Sequence, residues 1–163
     1  MTLCALTVRQ PWAAAIAHHG KDVENRTWTT SHRGLIAIHA AAGVDSRHLY
    51  SMQVSQVAHL ARAREEQVRT AAATRGAVIA VACLSDVCAE SASSTPVEII
   101  SAPYLRCGCG RWAVACQYHW HLTGVRALPE PVPAKGALGV WTLPDEVEDR
   151  VRAQLDTLEE VAR

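Results

Sequence analysis

The sequence predicts an α+β fold, a small mixed β-barrel with helices packed on it, and three observations carry that prediction. Short apolar strands recur along the chain, separated by two or three helical stretches rather than by one helix each. The regular βαβ alternation of a Rossmann sheet is missing. Neither a G-x-G-x-x-G loop nor a Walker loop is present, so nucleotide cradles of those types are not expected.

The elements follow in order. "LCALTV" at 3–8 reads as a strand, and Pro11 then stands where a helix favours its first residue. "PWAAAIAHH" runs to a stop at Gly20, with Trp12 and Ile16 four apart on one face. His18 and His19 fall in the last turn, where the helix dipole favours their protonation. "VENRTW" and "GLIAIHAA" read as strands, and 45–73 as a long helix with Leu49, Met52, Val54, Val57 and Leu60 along it. "GAVIAVACLSDVC" is the most continuous apolar run, a strand buried on both faces.

Residues 90–110 are rich in Ser, Pro and Gly and read as a loop or lid. "WAVACQYHWHLTGVRAL" and "GALGVWTL" supply two further strands. The joint between them, "PEPVPAKG", holds three prolines that should exclude regular structure. Pro144 opens a last amphipathic helix, with Val147, Val151, Leu155 and Leu158 on the side that packs on the barrel.

Bulk properties narrow the function classes. With 163 residues, 49% hydrophobic and 20% charged, the chain can bury a core and is not a disordered tail. No apolar run approaches the ~20 residues of a membrane span, and the N-terminus lacks the pattern of a signal peptide. A cytoplasmic protein with no membrane partner is expected. Residues 145–163 hold seven acids against three arginines, which leaves the body mildly basic and tolerant of an anionic partner. No feature of the sequence dictates an oligomeric state.

The densest polar stretch is "HHGKDVENRTW", residues 18–28. If 21–28 is extended, Glu24, Arg26 and Trp28 share a face, and Lys21 enters from the turn beside Glu24. Arg26 offers the paired donors that suit a phosphate or a base edge. Arg9 and Gln10, just before the first helix, should lie near the same opening because that helix ends where the motif begins. Asn25 completes the set of candidate ligand contacts. Among the five tryptophans, Trp28 and Trp112 are the expected stacking platforms for a base, whereas Trp120 and Trp141 belong in the core.

Cys107, Cys109, Cys116, His119 and His121 raise the question of zinc. Their C-x-C and H-x-H spacings match the usual C-x-x-C knuckle poorly, and the reading is thiols on a Gly-rich loop, with no metal and no cofactor. The G-x-S-x-G and H-E-x-x-H patterns are both missing.

"LTVRQPWAAAI", "GKDVENRTW", "RGLIAIHAA", "GAVIAVACLSDV" and "LPEPVPAKGALGVW" occur in the order typical of the ASCH family, and the chain resembles that family from about Leu3 to Leu143. The family signature, roughly G-x-K-x-x-E-x-R, appears as Gly20 to Arg26 with one fewer residue between glycine and lysine. The resemblance implies a PUA-like barrel over 1–143, with 144–163 as a helix packed on the same domain. It implies a module that binds nucleic acid, RNA above all, with single-stranded RNA or DNA or a nucleoside-sized ligand as partner.

Some relatives are enzymes, so the alternative is a hydrolase: an amidohydrolase of modified nucleosides such as N4-acetylcytidine, or a ribonuclease. Lys21 falls on the catalytic lysine of the acetylcytidine-hydrolysing relatives and Glu24 stands where they carry threonine, which makes these two the candidate catalytic pair. Asp86 is the nearest candidate for a third, acidic residue.

Overall fold

The computed structural model describes residues 2–43, 65–89, 109–110, 112–114 and 117–161. The elements are β1 (Cys4–Val8), α1 (Trp12–His18), β2 (Val23–Arg26), β3 (Gly34–Ala40), α2 (Glu65–Ala71), β4 (Ala77–Ala89), β5 (Tyr118–Pro133), β6 (Val140–Thr142) and α3 (Asp145–Val161). Of the helix expected over 45–73, residues 45–64 lie outside the described residues. So does the loop expected at 90–110, apart from 109–110.

The six strands form one sheet in the order β2-β5-β4-β3-β1-β6. Only β1 and β3 run parallel, aligned from Cys4 opposite Ile36 to Val8 opposite Ala40. Three strands separate β2 from β1 in that order, yet Arg26 Nη2 on β2 donates to the Thr7 carbonyl on β1 at 2.7 Å. The sheet must therefore curl until its two sides meet, and it forms a half-barrel with open edges flanked by helices.

Strand alternation sorts the core. Leu6, Ile36, Ile38, Ala82 and Trp120 face α1, where Ala13 and Ile16 pack on them. Ala5, Ala37, Val78, Val81 and Val132 face the other way and meet Val151 and Leu155 of α3. Both faces of β4 are covered from Ala77 to Ala82, as its unbroken apolar run required. Burial of each Val, Leu or Ile side chain contributes roughly 1.5–3 kcal/mol, so the two faces together dominate the favourable side of folding. The apolar side of α3 packs as its periodicity predicted. The helix is also tied at its start, where Glu148 Oε2 accepts the Leu3 N–H at 2.9 Å.

Two expectations about β5 fail. Pro129, Pro131 and Pro133 do not interrupt the chain's extended course; they lie inside β5. The reason is positional: β2 covers only Tyr118 to His121 of the outer edge of β5, so the prolines fall where no strand asks for an N–H. The pairing with β4 also steps from Val132 opposite Val78 to Ala127 opposite Ala80, a bulge that absorbs the residues between them. At that edge the Gln154 amide of α3 both donates to the Glu130 carbonyl and accepts its N–H, at 3.0 and 2.9 Å. It takes the place of a neighbouring strand. At its other end β5 begins at Tyr118, so Trp112 precedes the strand instead of opening it.

Candidate ligand cleft

The turn after α1 builds the site. Gly20 takes φ +68°, a left-handed conformation open to glycine without strain, and the chain folds back so that the Lys21 N–H reaches the Ala15 carbonyl at 3.1 Å. Lys21 is thereby directed inward and is only 2% exposed. Its ammonium donates to the Val23 carbonyl and to Glu24 Oε2, the latter at 3.0 Å. The second carboxylate oxygen of Glu24 meets Arg26 Nη2 at 3.2 Å. One buried carboxylate thus joins two cations, and the cluster keeps a positive charge.

Glu24, Arg26 and Trp28 line a cavity of about 570 Å³ together with Arg9, Thr7 and Trp12. Asn25, Ala41 and the 137–139 turn ahead of β6 complete the wall among the described residues. The volume falls within the ~300–1,000 Å³ typical of small-ligand sites. Trp28 is fixed by an edge-to-face contact with Trp120 at 4.7 Å, and its carbonyl accepts the Trp120 indole N–H at 3.3 Å. Arg26 stands 6.0 Å from the Trp28 ring, and Lys21 lies 5.8 Å from that of Trp12. The Nε of Arg26 is buried and has no hydrogen-bond partner among the described residues.

Some of the expected site residues meet in this cleft, and some do not. Arg9, Glu24, Asn25, Arg26 and Trp28 line it. The amide of Asn25 is spent elsewhere, donating to the Trp112 carbonyl and accepting the Val114 N–H, both at 2.9 Å. Lys21 lies behind Glu24 rather than on the wall, and its Nζ faces two acceptors. Gln10 is buried and structural: it accepts the Ala14 N–H at the start of α1 and donates to the Thr74 carbonyl. Asp86 is exposed and pairs with Arg33 at 3.5 Å, outside the cleft.

Trp112 is a core residue and not a stacking platform. It packs with Ala15 and Val23 and donates to the Gly20 carbonyl at 2.9 Å. His19 also departs from expectation: burial and, after it, the neighbouring His18 hold its imidazole below the ordinary range. Thr7, Trp12 and the 137–139 turn were not legible as site residues. They arrive from the end of β1, the start of α1 and the approach to β6, which no sequence spacing connects.

A curled half-barrel with this lysine–glutamate–arginine turn beside a cleft defines the class. Residues 6–107 match the ASCH domain, and the chain belongs to the ASCH domain family. Among solved structures, the fold is similar to that of a mutant form of the ZmASCH protein from Zymomonas mobilis, at 12% identity and a TM-score of 0.49, over 94% of this chain and 98% of that one. A comparison with curated proteins finds no match. Among the described residues no helix is long and apolar enough to cross a membrane.

Proposed function

We propose that this ASCH domain binds single-stranded nucleic acid, RNA above all, or a nucleotide-sized ligand, in the cleft lined by Arg9, Glu24, Arg26 and Trp28. The observation that carries the reading is Arg26: a buried guanidinium Nε in a cavity wall, with no acceptor among the described residues. A phosphate or base-edge acceptor would satisfy that donor, while Trp28 and Trp12 present aromatic surface for stacking. Among the described residues of the wall, Arg9 and Arg26 stand with the single carboxylate of Glu24, a donor-rich lining that suits an anionic ligand. Lys21 and Glu24 then act mainly by holding Arg26 in place.

The rival reading is hydrolysis by the Lys21–Glu24 pair, and their 3.0 Å contact is its best support. A base, however, needs a lone pair directed at the substrate, and the Lys21 amine donates to two protein oxygens behind the wall.

Fluorescence anisotropy with short labelled single-stranded RNA and DNA at low salt tests the binding reading, with mononucleotide as competitor. Arg26→Ala should weaken binding tenfold or more, the loss of a charge-assisted hydrogen bond being about 1.5–3 kcal/mol. Arg9→Ala, at an exposed residue, should weaken it less and should flatten the salt dependence by about one counterion. Unchanged affinity in both variants removes the cleft from consideration. Release of cytidine from N4-acetylcytidine, abolished by Lys21→Ala, would establish the hydrolase reading instead.

A further inference from the structure

The strand pleat separates a second group of side chains from the cleft. Glu24 and Arg26 stand opposite Trp120 and Tyr118, so His119 and His121 project from the other face of β5. Cys88 on β4 is the direct cross-strand partner of His119. Cys109 comes over this face from a separate segment. Its Sγ lies 3.1 Å from Cys88 Sγ and 3.3 Å from His121 Nε2, and all three donor atoms fall within 4.8 Å of one another. His119 Nδ1 adjoins them, 3.7 Å from Cys88 Sγ.

From this juxtaposition we propose that Cys88, Cys109 and His121 bind one zinc ion, with His119 Nδ1 completing the coordination. Tetrahedral zinc with sulfur at about 2.3 Å and nitrogen at about 2.0–2.1 Å separates its ligand atoms by roughly 3.3–3.8 Å. The three contacts here, 3.1, 3.3 and 3.7 Å, reach that range with a small spreading of the two sulfurs. The ligand types are those zinc takes in structural sites, two thiolates and two imidazoles. His119 is fully buried, and its Nε2 lies 2.8 Å from the Val114 carbonyl. A carbonyl can only accept, so Nε2 carries the hydrogen, and Nδ1, on the side of Cys88, is the ring atom that would take the metal. Zinc-bound histidines are oriented in this way by their outer partners. On binding, the two thiols release their protons to solvent, and two thiolates match the charge of the ion.

The structure also indicates what such an ion would hold. Cys109 begins the segment whose Trp112 packs against α1 and β2, and Asn25 grips the backbone of 112 and 114. Zinc would pin that segment to β4 and β5 from the face opposite the cleft. The sequence spacing argued against a metal because the ligands come from three separated stretches; Cys88 is 21 residues from Cys109. Cys107 and Cys116 lie outside the described residues.

The test uses untagged protein purified with reductant and without chelator, its metal content measured by plasma mass spectrometry. About one zinc per chain is expected. Replacement by Co(II) should give thiolate-to-cobalt charge-transfer bands and the visible bands of a tetrahedral ion. Cys109→Ser and His121→Ala should bring zinc to background, and Cys83→Ser, on β4 but outside the cluster, should retain it. Circular dichroism on each sample separates loss of metal from loss of fold, and the cobalt spectrum of the wild type stands even where a variant fails to fold. Folded, reduced protein that takes up neither zinc nor Co(II) overturns the proposal. Full zinc occupancy in both ligand variants does so as well, as does a Cys88–Cys109 disulfide recovered from zinc-supplemented preparations.

Discussion

Gly136 packs directly on the ring of His39: a Cβ placed on that glycine would stand 2.5 Å from Cε1 and 2.8 Å from Nδ1. The imidazole cannot give way, because it is fully buried, its Nε2 is bonded to the Ala134 carbonyl at 3.0 Å, and Trp141 packs on it edge to face. Gly136→Ala should therefore destabilise the domain by about 1–3 kcal/mol through overpacking. That corresponds to roughly 2–4 °C in Tm for each kcal/mol in a chain of this size. Calorimetry checks it, and an unchanged Tm would show that the 134–139 segment can lift off β1 at little cost.

Burial also makes His39 sensitive to pH. Loss of hydration holds its imidazole below the ordinary range, only partly opposed by the bond to the Ala134 carbonyl. The unfolded chain then binds a proton that the folded chain refuses. Stability is complete above about pH 6.5 and declines as pH falls below that value towards the depressed folded-state value. His19, shifted in the same direction, adds to the slope. Urea midpoints at about pH 7.5 and 5.5 should differ in the wild type, and His39→Gln should reduce that difference. An equal slope in the variant would place the acid sensitivity elsewhere.

Much of this architecture could be read from local chemistry. The unbroken apolar run of β4, Pro11 before α1 and the one-sided pattern of α3 each carry their own reason, and each stands in the structure. The prolines of β5 could not be read in this way, since they are harmless only because β2 begins at Val23, opposite His121, and pairs no further along β5. The same division runs through the cleft. Glu24, Arg26 and Trp28 share a face by strand alternation, which the sequence displays. The inward turn of Lys21 depends on a hydrogen bond back to Ala15, and the Trp12 wall depends on how α1 lies across the sheet. Those are tertiary facts.

Glu24 should carry more of the cluster's stability than Lys21, because it is paired with both cations. Glu24→Ala would strand the Lys21 ammonium and the half-buried Arg26 with no carboxylate between them. Removing one member of a buried ion pair costs about 3–5 kcal/mol. Lys21→Met leaves Glu24 paired with Arg26 and fills similar space, so its cost should stay near ~1–2 kcal/mol. Urea unfolding of the two variants tests the order. If Lys21→Met proves the more damaging, the ammonium and not the carboxylate organises the turn.

Trp28 and Trp112 should separate ligand binding from stability. Trp28 is half-buried in the cleft wall, whereas Trp112 is 6% exposed and ties the 112–114 segment to Gly20. If a base stacks on Trp28, Trp28→Ala should weaken RNA binding by roughly tenfold or more, since such contacts are worth about 1–3 kcal/mol per base. The same change also removes the edge-to-face contact with Trp120, so some stability is lost with it. Trp112→Phe keeps the packing but forfeits the indole hydrogen bond, and it should lower the urea midpoint while the affinity of the folded protein stays constant. Titrations with the labelled RNA under native conditions, paired with unfolding curves, resolve the two. Equal losses of affinity in both variants would mean that the cleft responds to the whole 112–114 segment rather than to a base stacked on Trp28.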